Sequence, residues 1–383
     1  MKIGFYLGEV MPPEIGGGSV FQINVVQELQ RTFQNIECVV YYKSSQEFLF
    51  KNLGNITFLN LAYQKMEQKP FWIKKKKWIE PTYDFIFLQD KIDVLYYFMP
   101  YAFISQKIPY ILTVWDIGHR SITYFPEVST INNEFIAREN LFKFAIQQAA
   151  YIVIGNIAGK EQICRYYGMD PERVKINPLP VPEHIFSLKA DCSIIDKNNL
   201  SSSKYLLYPA QFWAHKNHIR LIKAMTHLCK DGFKMVFTGS NQGNIDYIKN
   251  KISEYGLEKY VLLLGFVTTS ELIALYKNAY ALTYASFLGP DNIPPLEAMA
   301  LECPVICADF DGAKEQLQDA ALFFDKLDEY SLIQQINELK NKKIRSELIT
   351  KGKALVNTRK TTSYVKNIMQ LLEEFAKIRE CWS

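Results

Sequence analysis

The sequence contains no run of about 18 uninterrupted apolar residues, so no segment reads as a membrane-spanning helix. Its opening residues lack the basic start and the long apolar stretch of a secretory leader. The expectation is a cytoplasmic protein, or one held peripherally on the inner face of a membrane. Paired C-x-x-C spacings and His/Cys clusters are absent, which removes the usual zinc patterns. The seven cysteines are scattered and odd in number, as expected of buried free thiols in a reducing compartment. Net charge is only +4 over 383 residues, too little for the concentrated basic face of a nucleic-acid binder. No G-x-G-x-x-G follows the first apolar run, which argues against a dinucleotide oxidoreductase.

What is present is a composition that folds. Hydrophobic residues make up 48% and charged residues 22%, which excludes a disordered chain. Short β-branched and aromatic runs alternate with longer helical patterns, the mark of parallel α/β units. In the first half the spacing predicts strands at residues 2–7, 38–42, 56–61, 85–88, 110–114 and 151–154, with helices over 19–33 and 134–149. In the second half it predicts strands at 205–208, 235–238, 261–264, 281–284, 304–308 and 321–324, with helices over 217–230 and 270–279. Between the halves, residues 177–182 hold three prolines and residues 191–204 are polar. The division that follows is an acceptor-side domain over 1–185, a linker over 186–204 and a second Rossmann-like domain over 205–360. A terminal helix, 361–383, is expected to pack back toward the first domain. In doubly wound sheets, ligands bind beyond the carboxyl ends of the strands. The expected site is a cleft between two such domains, lined by strand-end loops.

Four of those loops carry chemistry. After the first strand come Gly16, Gly17 and Gly18, with Ser19 placed to cap the next helix. Glycines there let the backbone approach a ligand, and the helix start attracts an anion; a plain structural turn is the alternative. After the fifth strand come Trp115, Asp116, His119 and Arg120. A carboxylate, an imidazole and a guanidinium together can move protons or bind sugar hydroxyls and phosphate, unless Asp116 merely caps a turn. The second domain opens with a strand and a loop carrying Gln211, Lys216 and Asn217, with a helix starting near Asn217. Lys216 there would meet a diphosphate with a point charge added to the helix dipole. The fourth loop, over residues 285–300, holds Gly289, Asp291, Asn292, Ile293, Pro294 and Glu297. The backbone N–H groups around Asn292, Ile293 and Pro294 are expected to cradle phosphate. Glu297, read as a first-turn residue, is expected to accept hydrogen bonds from ribose hydroxyls; a first-turn Glu also stabilises a helix by charge alone.

Taken in order, these segments resemble the large retaining glycosyltransferase family 4, of GT-B fold, over nearly the whole chain. The likeness is most specific over residues 208–309, where PPLEAMALECPVICAD matches the second half of the family's Glu-x7-Glu motif. The Gly-rich loop matches at Gly16–Gly18, and Lys216 matches the lysine that grips the donor diphosphate. The resemblance implies transfer of a sugar from a nucleotide diphosphate donor to an acceptor hydroxyl with retention. It implies no metal and no cofactor, and a donor phosphate oxygen that takes the acceptor's proton. Gly239, Phe266 and Val267 join the expected nucleotide contacts, with the base beside residues 265–267. Three positions depart from the pattern. Gly289 stands where the first motif Glu belongs, with Asp291 or a backbone group as its stand-in. Gln211 lies near the expected arginine. Trp115 replaces a frequent histidine, with His119 four residues on.

Residues 69–78 place Lys74, Lys75, Lys76 and Lys77 between Trp72 and Trp78. Each lysine near an anionic surface contributes about 1 kcal/mol, so this reads either as a peripheral membrane contact or as a solvated basic turn. The implied partners are a nucleotide-sugar and a glycan or lipid-linked glycan acceptor, in surface polysaccharide or glycolipid assembly. A sugar-nucleotide epimerase of the same fold and a non-catalytic nucleotide-sugar-binding subunit are the alternatives.

Overall fold

The structure is a computed structural model that describes residues 1–9, 17–32, 37–44, 56–61, 67–73, 76–100, 104–129, 134–201, 204–289 and 291–382. The chain divides into two compact units. The first comprises Met1–Ile117, Phe135–Pro178 and Thr361–Ser383, and the second Gly118–Glu134 and Leu179–Lys360.

The first unit holds strands β1 (Ile3–Glu9), β2 (Cys38–Lys43), β3 (Ile56–Asn60), β4 (Glu67–Ile73), β5 (Lys76–Thr82), β6 (Val94–Tyr97), β7 (Tyr110–Thr113), β8 (Tyr151–Ile154) and β9 (Val174–Ile176). Seven of them form a parallel sheet in the order β3-β2-β1-β6-β7-β8-β9. The central strands are buried along their length, as a parallel sheet covered on both faces requires. Helix Ile157–Tyr167 shows how the sequence sets its own limits. Asn156 caps it by accepting from Gly159 N–H at 2.9 Å, and Gly168, at φ +62°, ends it by donating to Cys164 O. Helix Thr361–Arg379 packs in this unit through Tyr364, Val365, Ile368, Leu372 and Phe375, a helical stripe of buried residues. Strands β4 and β5 form a separate antiparallel hairpin that pairs Phe71 with Trp78 and Trp72 with Lys77.

The second unit holds β10 (Lys204–Pro209), β11 (Phe233–Thr238), β12 (Val261–Leu263), β13 (Ala281–Tyr284), β14 (Val305–Ala308) and β15 (Ala321–Phe324), all parallel, in the order β12-β11-β10-β13-β14-β15. Helix His218–Leu228 buries Leu221, Ile222, Met225 and Leu228 at the spacing of one helical face. Helix Thr269–Asn278 starts at a capping box, with Thr268 and Glu271 each bonded to the other's backbone. Strand order reverses between β10 and β13, so the switch point of this sheet lies between the loops that follow them.

Several expectations change. Residues 85–88 are not a strand but part of helix Asp84–Gln89, with Ile86 and Phe87 buried and Phe85 and Leu88 exposed. The strand that fills that place in the sheet is β6, and a short apolar run does not by itself distinguish the two. Residues 186–204 are not a linker. They fold into the second unit, where Ile194, Ile195 and Leu200 are buried in its core, and the boundary falls at Pro178. Ser19 is not a cap, because helix Gly17–Thr32 has begun two residues earlier. All seven cysteines are free; Cys38, Cys303 and Cys307 are buried, whereas Cys192 and Cys381 are exposed. Among the described residues no helix is long and apolar enough to cross a membrane.

Candidate functional site

In the second unit the loops after β10 and β13 are tied together. The N–H of Phe287 donates to the carbonyl of His215 at 2.9 Å. Lys216 closes the short 3-10 turn Ala214–Lys216, one residue before helix His218–Leu228 is entered through Asn217 at φ +57°. Its Nζ lies 3.4 Å from the Tyr284 hydroxyl, at the end of β13. That hydroxyl donates to Asn292 Oδ1 at 2.7 Å, so a short relay joins the ammonium to the 285–292 loop. Asn217 supplies the left-handed conformation that the turn needs, and its Nδ2 donates to Lys326 O at 2.8 Å. Gln211, near the place of the expected arginine, accepts from Trp213 Nε1. Arg220, on the helix beyond, is paired with Glu329.

The 285–292 loop has its own internal frame. Asn292 Nδ2 donates to Gly289 O at 2.6 Å. Its backbone N–H donates to Gln316 Oε1 at 3.0 Å, and Gln316 Nε2 donates to Asp291 Oδ1 at 2.6 Å. Asp291 Oδ2 accepts from Leu179 N–H at 2.6 Å and lies 3.9 Å from the Arg359 guanidinium, with the Asp291 side chain 3% exposed. Burial raises the Asp291 carboxyl, and Arg359 and the Leu179 N–H pull it back. Both oxygens are thus engaged in anchoring the loop, and the expectation that Asp291 stands in for the missing motif carboxylate gives way to a structural role. Breaking such a buried pair from one side costs about 3–5 kcal/mol.

Gly289 adopts φ +132°, and a Cβ there would meet Asn292 Oδ1 at 2.3 Å. The expected phosphate cradle also narrows. Pro294 has no N–H, and that of Asn292 is taken by Gln316, which leaves Ile293 as the backbone donor of the three. The helix runs Ile293–Ala300, so Glu297 lies in its second turn and not its first. Its carboxylate is buried and accepts from the Tyr276 hydroxyl at 3.0 Å. Burial pushes the Glu297 carboxyl up to about 7, against the lowering effect of that hydrogen bond.

The sign for stability follows from a folded value above the ordinary 4.5. The native state holds the proton more tightly, so the contribution of Glu297 is full below about 4.5 and is lost as pH rises through about 7. Denaturant unfolding between those limits should show Glu297→Gln with a flatter decline of stability than the parent. Parallel profiles would refute the assignment.

The loops after β11 and β12 complete the carboxyl edge of this sheet. Gly239, at φ +145°, donates to Gly265 O at 2.8 Å, and a Cβ there would meet Ala210 O at 2.4 Å. Glycine is required because three strand-end loops converge on that point. Phe266 is exposed and Val267 half-buried.

The remaining candidates are placed differently. Gly16, Lys74 and Lys75 lie outside the described residues. Gly17 opens its helix, and Gly18 packs so closely on Trp115 that a Cβ would stand 2.5 Å from the ring. The Trp115 ring also meets Phe21 edge-on. Asp116 pairs with Arg138 at 2.8 Å, an ion pair within the first unit. His119 and Arg120 belong to the second unit; His119 is fully buried, which removes it from contact with an acceptor, and Arg120 is half-buried. The backbones of Trp72, Lys76, Lys77 and Trp78 lie on the β4–β5 hairpin. Tyr276, Tyr284 and Gln316 hold the site together without any local sequence signal. They act through contacts with residues distant in the chain.

Comparison with known proteins bears on the same stretch. Residues 193–355 match the family model Glycosyl transferases group 1. A curated relative, the O-antigen chain mannosyltransferase RfbU of Salmonella typhimurium, is 28% identical over 194 residues, covering 50% of this chain and 51% of that one. The chain therefore spans about half the length of that relative. Among solved structures, a sucrose-phosphate synthase from Thermosynechococcus elongatus superposes with TM-score 0.76 at 13% identity, over 98% of this chain and 99% of the other. HepE of Anabaena, solved with UDP and glucose, superposes with TM-score 0.71 at 17% identity, over 98% and 100%. The fold is GT-B. At these identities the structural likeness speaks for fold alone.

Proposed function

We propose that the protein is a retaining glycosyltransferase of family 4. It would move a sugar from a nucleotide diphosphate donor to an acceptor hydroxyl in O-antigen-type polysaccharide assembly. The observation that carries this reading is the relay from Lys216 through Tyr284 to Asn292 at the switch point of the second sheet. The diphosphate sits against Lys216 and the N–H of Ile293. The ribose meets Glu297, whose ionised form its hydroxyls favour, and the base lies by Phe266 and Val267. The C1–O bond to the diphosphate breaks, and the negative charge that develops is met by Lys216 in a pre-organised setting. The acceptor oxygen bonds to C1 on the same face, and its proton passes to a departing phosphate oxygen, so no protein base is needed. The name of the curated relative makes mannose the first sugar to try. No Asp-x-Asp-like pair stands at the expected loops, which supports a metal-independent reaction.

Incubation with labelled GDP-mannose, UDP-glucose and related donors, with lipid-linked glycan acceptors and with or without EDTA, tests the reading. Incorporation of label that survives EDTA is the expected result. Nucleotide-sugar conversion without incorporation would favour an epimerase. Binding without either would favour a non-catalytic subunit, for which the missing carboxylate at Gly289 is the motive. We also place the protein on the cytoplasmic face of a membrane, through the lysines and tryptophans of the β4–β5 hairpin. Flotation with anionic liposomes should fall several-fold when Lys74–Lys77 become Ser; equal flotation would remove this contact.

A further inference from the structure

We infer that Glu127 is a positioning residue for Lys216, a role that rests on the proposed diphosphate site. Glu127 lies in a segment that follows β7 in the chain, 88 residues before His215. One oxygen, Oε1, accepts both the backbone N–H of His215 at 2.9 Å and its ring Nδ1 at 2.6 Å. The carboxylate is 5% exposed, and the pair is the side-chain and main-chain anchor of the residue next to Lys216. The carbonyl of that same residue accepts from Phe287 N–H, and the carbonyl of Lys216 accepts from the Tyr208 hydroxyl at 2.8 Å. Phe125, two residues before Glu127, lies edge-on to Phe287 with ring centroids 5.0 Å apart, and edge-on to His215 at 6.3 Å. The peptide bearing Lys216 is therefore fixed on three sides, and Glu127 with Phe125 supplies the side that the two strand-end loops cannot.

The electrostatics agree with the geometry. Burial acts to raise the Glu127 carboxyl, but the hydrogen bonds from the His215 side chain and backbone outweigh it and hold the group below its ordinary range. A charged acceptor makes stronger bonds than a neutral one, so the amide of Glu127→Gln keeps the shape and loses the grip. A small displacement of a charge aimed at a diphosphate is enough to lose binding and turnover.

Two measurements test this in the full-length protein. Hydrogen exchange, with no ligand present, should show the amides over 211–217 exchanging at least tenfold faster in Glu127→Gln. Titration with UDP and GDP should show Glu127→Gln binding about tenfold more weakly than the parent. In a Lys216→Ala background the same change should cost less than twofold, because Glu127 acts through Lys216. His215→Asn removes the pair from the other side and should behave alike in both measurements, which covers a failure of one variant to fold. Unchanged exchange, or an equal loss with and without Lys216, would overturn the inference. If the parent protein binds neither nucleotide, the diphosphate reading itself falls, and the exchange result alone then decides whether Glu127 fixes the loop.

Discussion

Lys216→Ala lowers kcat/KM for the nucleotide-sugar by about 10²–10³-fold, the usual effect of removing one pre-organised group aimed at developing charge. The Nζ is held 3.4 Å from the Tyr284 hydroxyl and 5.8 Å from the centre of its ring, so its position is set before a ligand arrives. The neighbouring helix start at His218 adds a favourable dipole for an anion. Here the expected arginine is replaced by Gln211, which carries no charge, so the lysine works with fewer cations than the family pattern provides. Stability should change little, because the lost contacts are a long hydrogen bond and a cation–π contact of about 0.5–1 kcal/mol. Steady-state kinetics beside a denaturation curve separates these effects. Activity within threefold of the parent at normal stability would place the diphosphate elsewhere.

Gly289→Glu restores the family's Glu-x7-Glu pattern on paper and is expected to abolish activity in practice. The residue sits at φ +132°, which a side chain resists at about 1–3 kcal/mol. Its Cβ would also stand 2.3 Å from Asn292 Oδ1. That amide cannot simply swing aside, because it accepts from Tyr284 and donates to Gly289 O. Displacing it breaks the relay that joins Lys216 to the loop. Glycine here is thus built into the loop, and the donor sugar must be read by other groups. Gly289→Ala has the same backbone strain without a carboxylate and should lose most of the activity as well. A Glu variant more active than the parent, in the transfer assay, would show that the loop re-forms in the family's usual shape.

The sequence made the fold class legible because parallel sheets leave a strong trace. Each buried strand is a short β-branched or aromatic run, and each crossover is a helix with one apolar face. The six strands of the second sheet were all located, with ends shifted by a residue or two. The first sheet was read less well. Residues 85–88 and 94–97 are both short apolar runs, and only tertiary pairing beside β1 made a strand of the second. The polar stretch 191–204 looked like a linker because its few apolar residues, Ile194, Ile195 and Leu200, carry no periodic signal.

At the site, the sequence by itself determined which loops carry chemistry: the segments after β10 and β13, with Lys216 and Glu297 in them. Strand-end loops with Pro, Gly and charged residues are local features, and local features are written in local sequence. What only the tertiary structure decided is how each side chain is engaged. Asp291 is held by Leu179 and faces Arg359, and Glu127 holds His215. Glu297 is buried beneath Tyr276, and Gly289 is locked by its conformation. Burial and long-range hydrogen bonding depend on which distant residues meet. The chain fixes those meetings only when the whole sheet has formed.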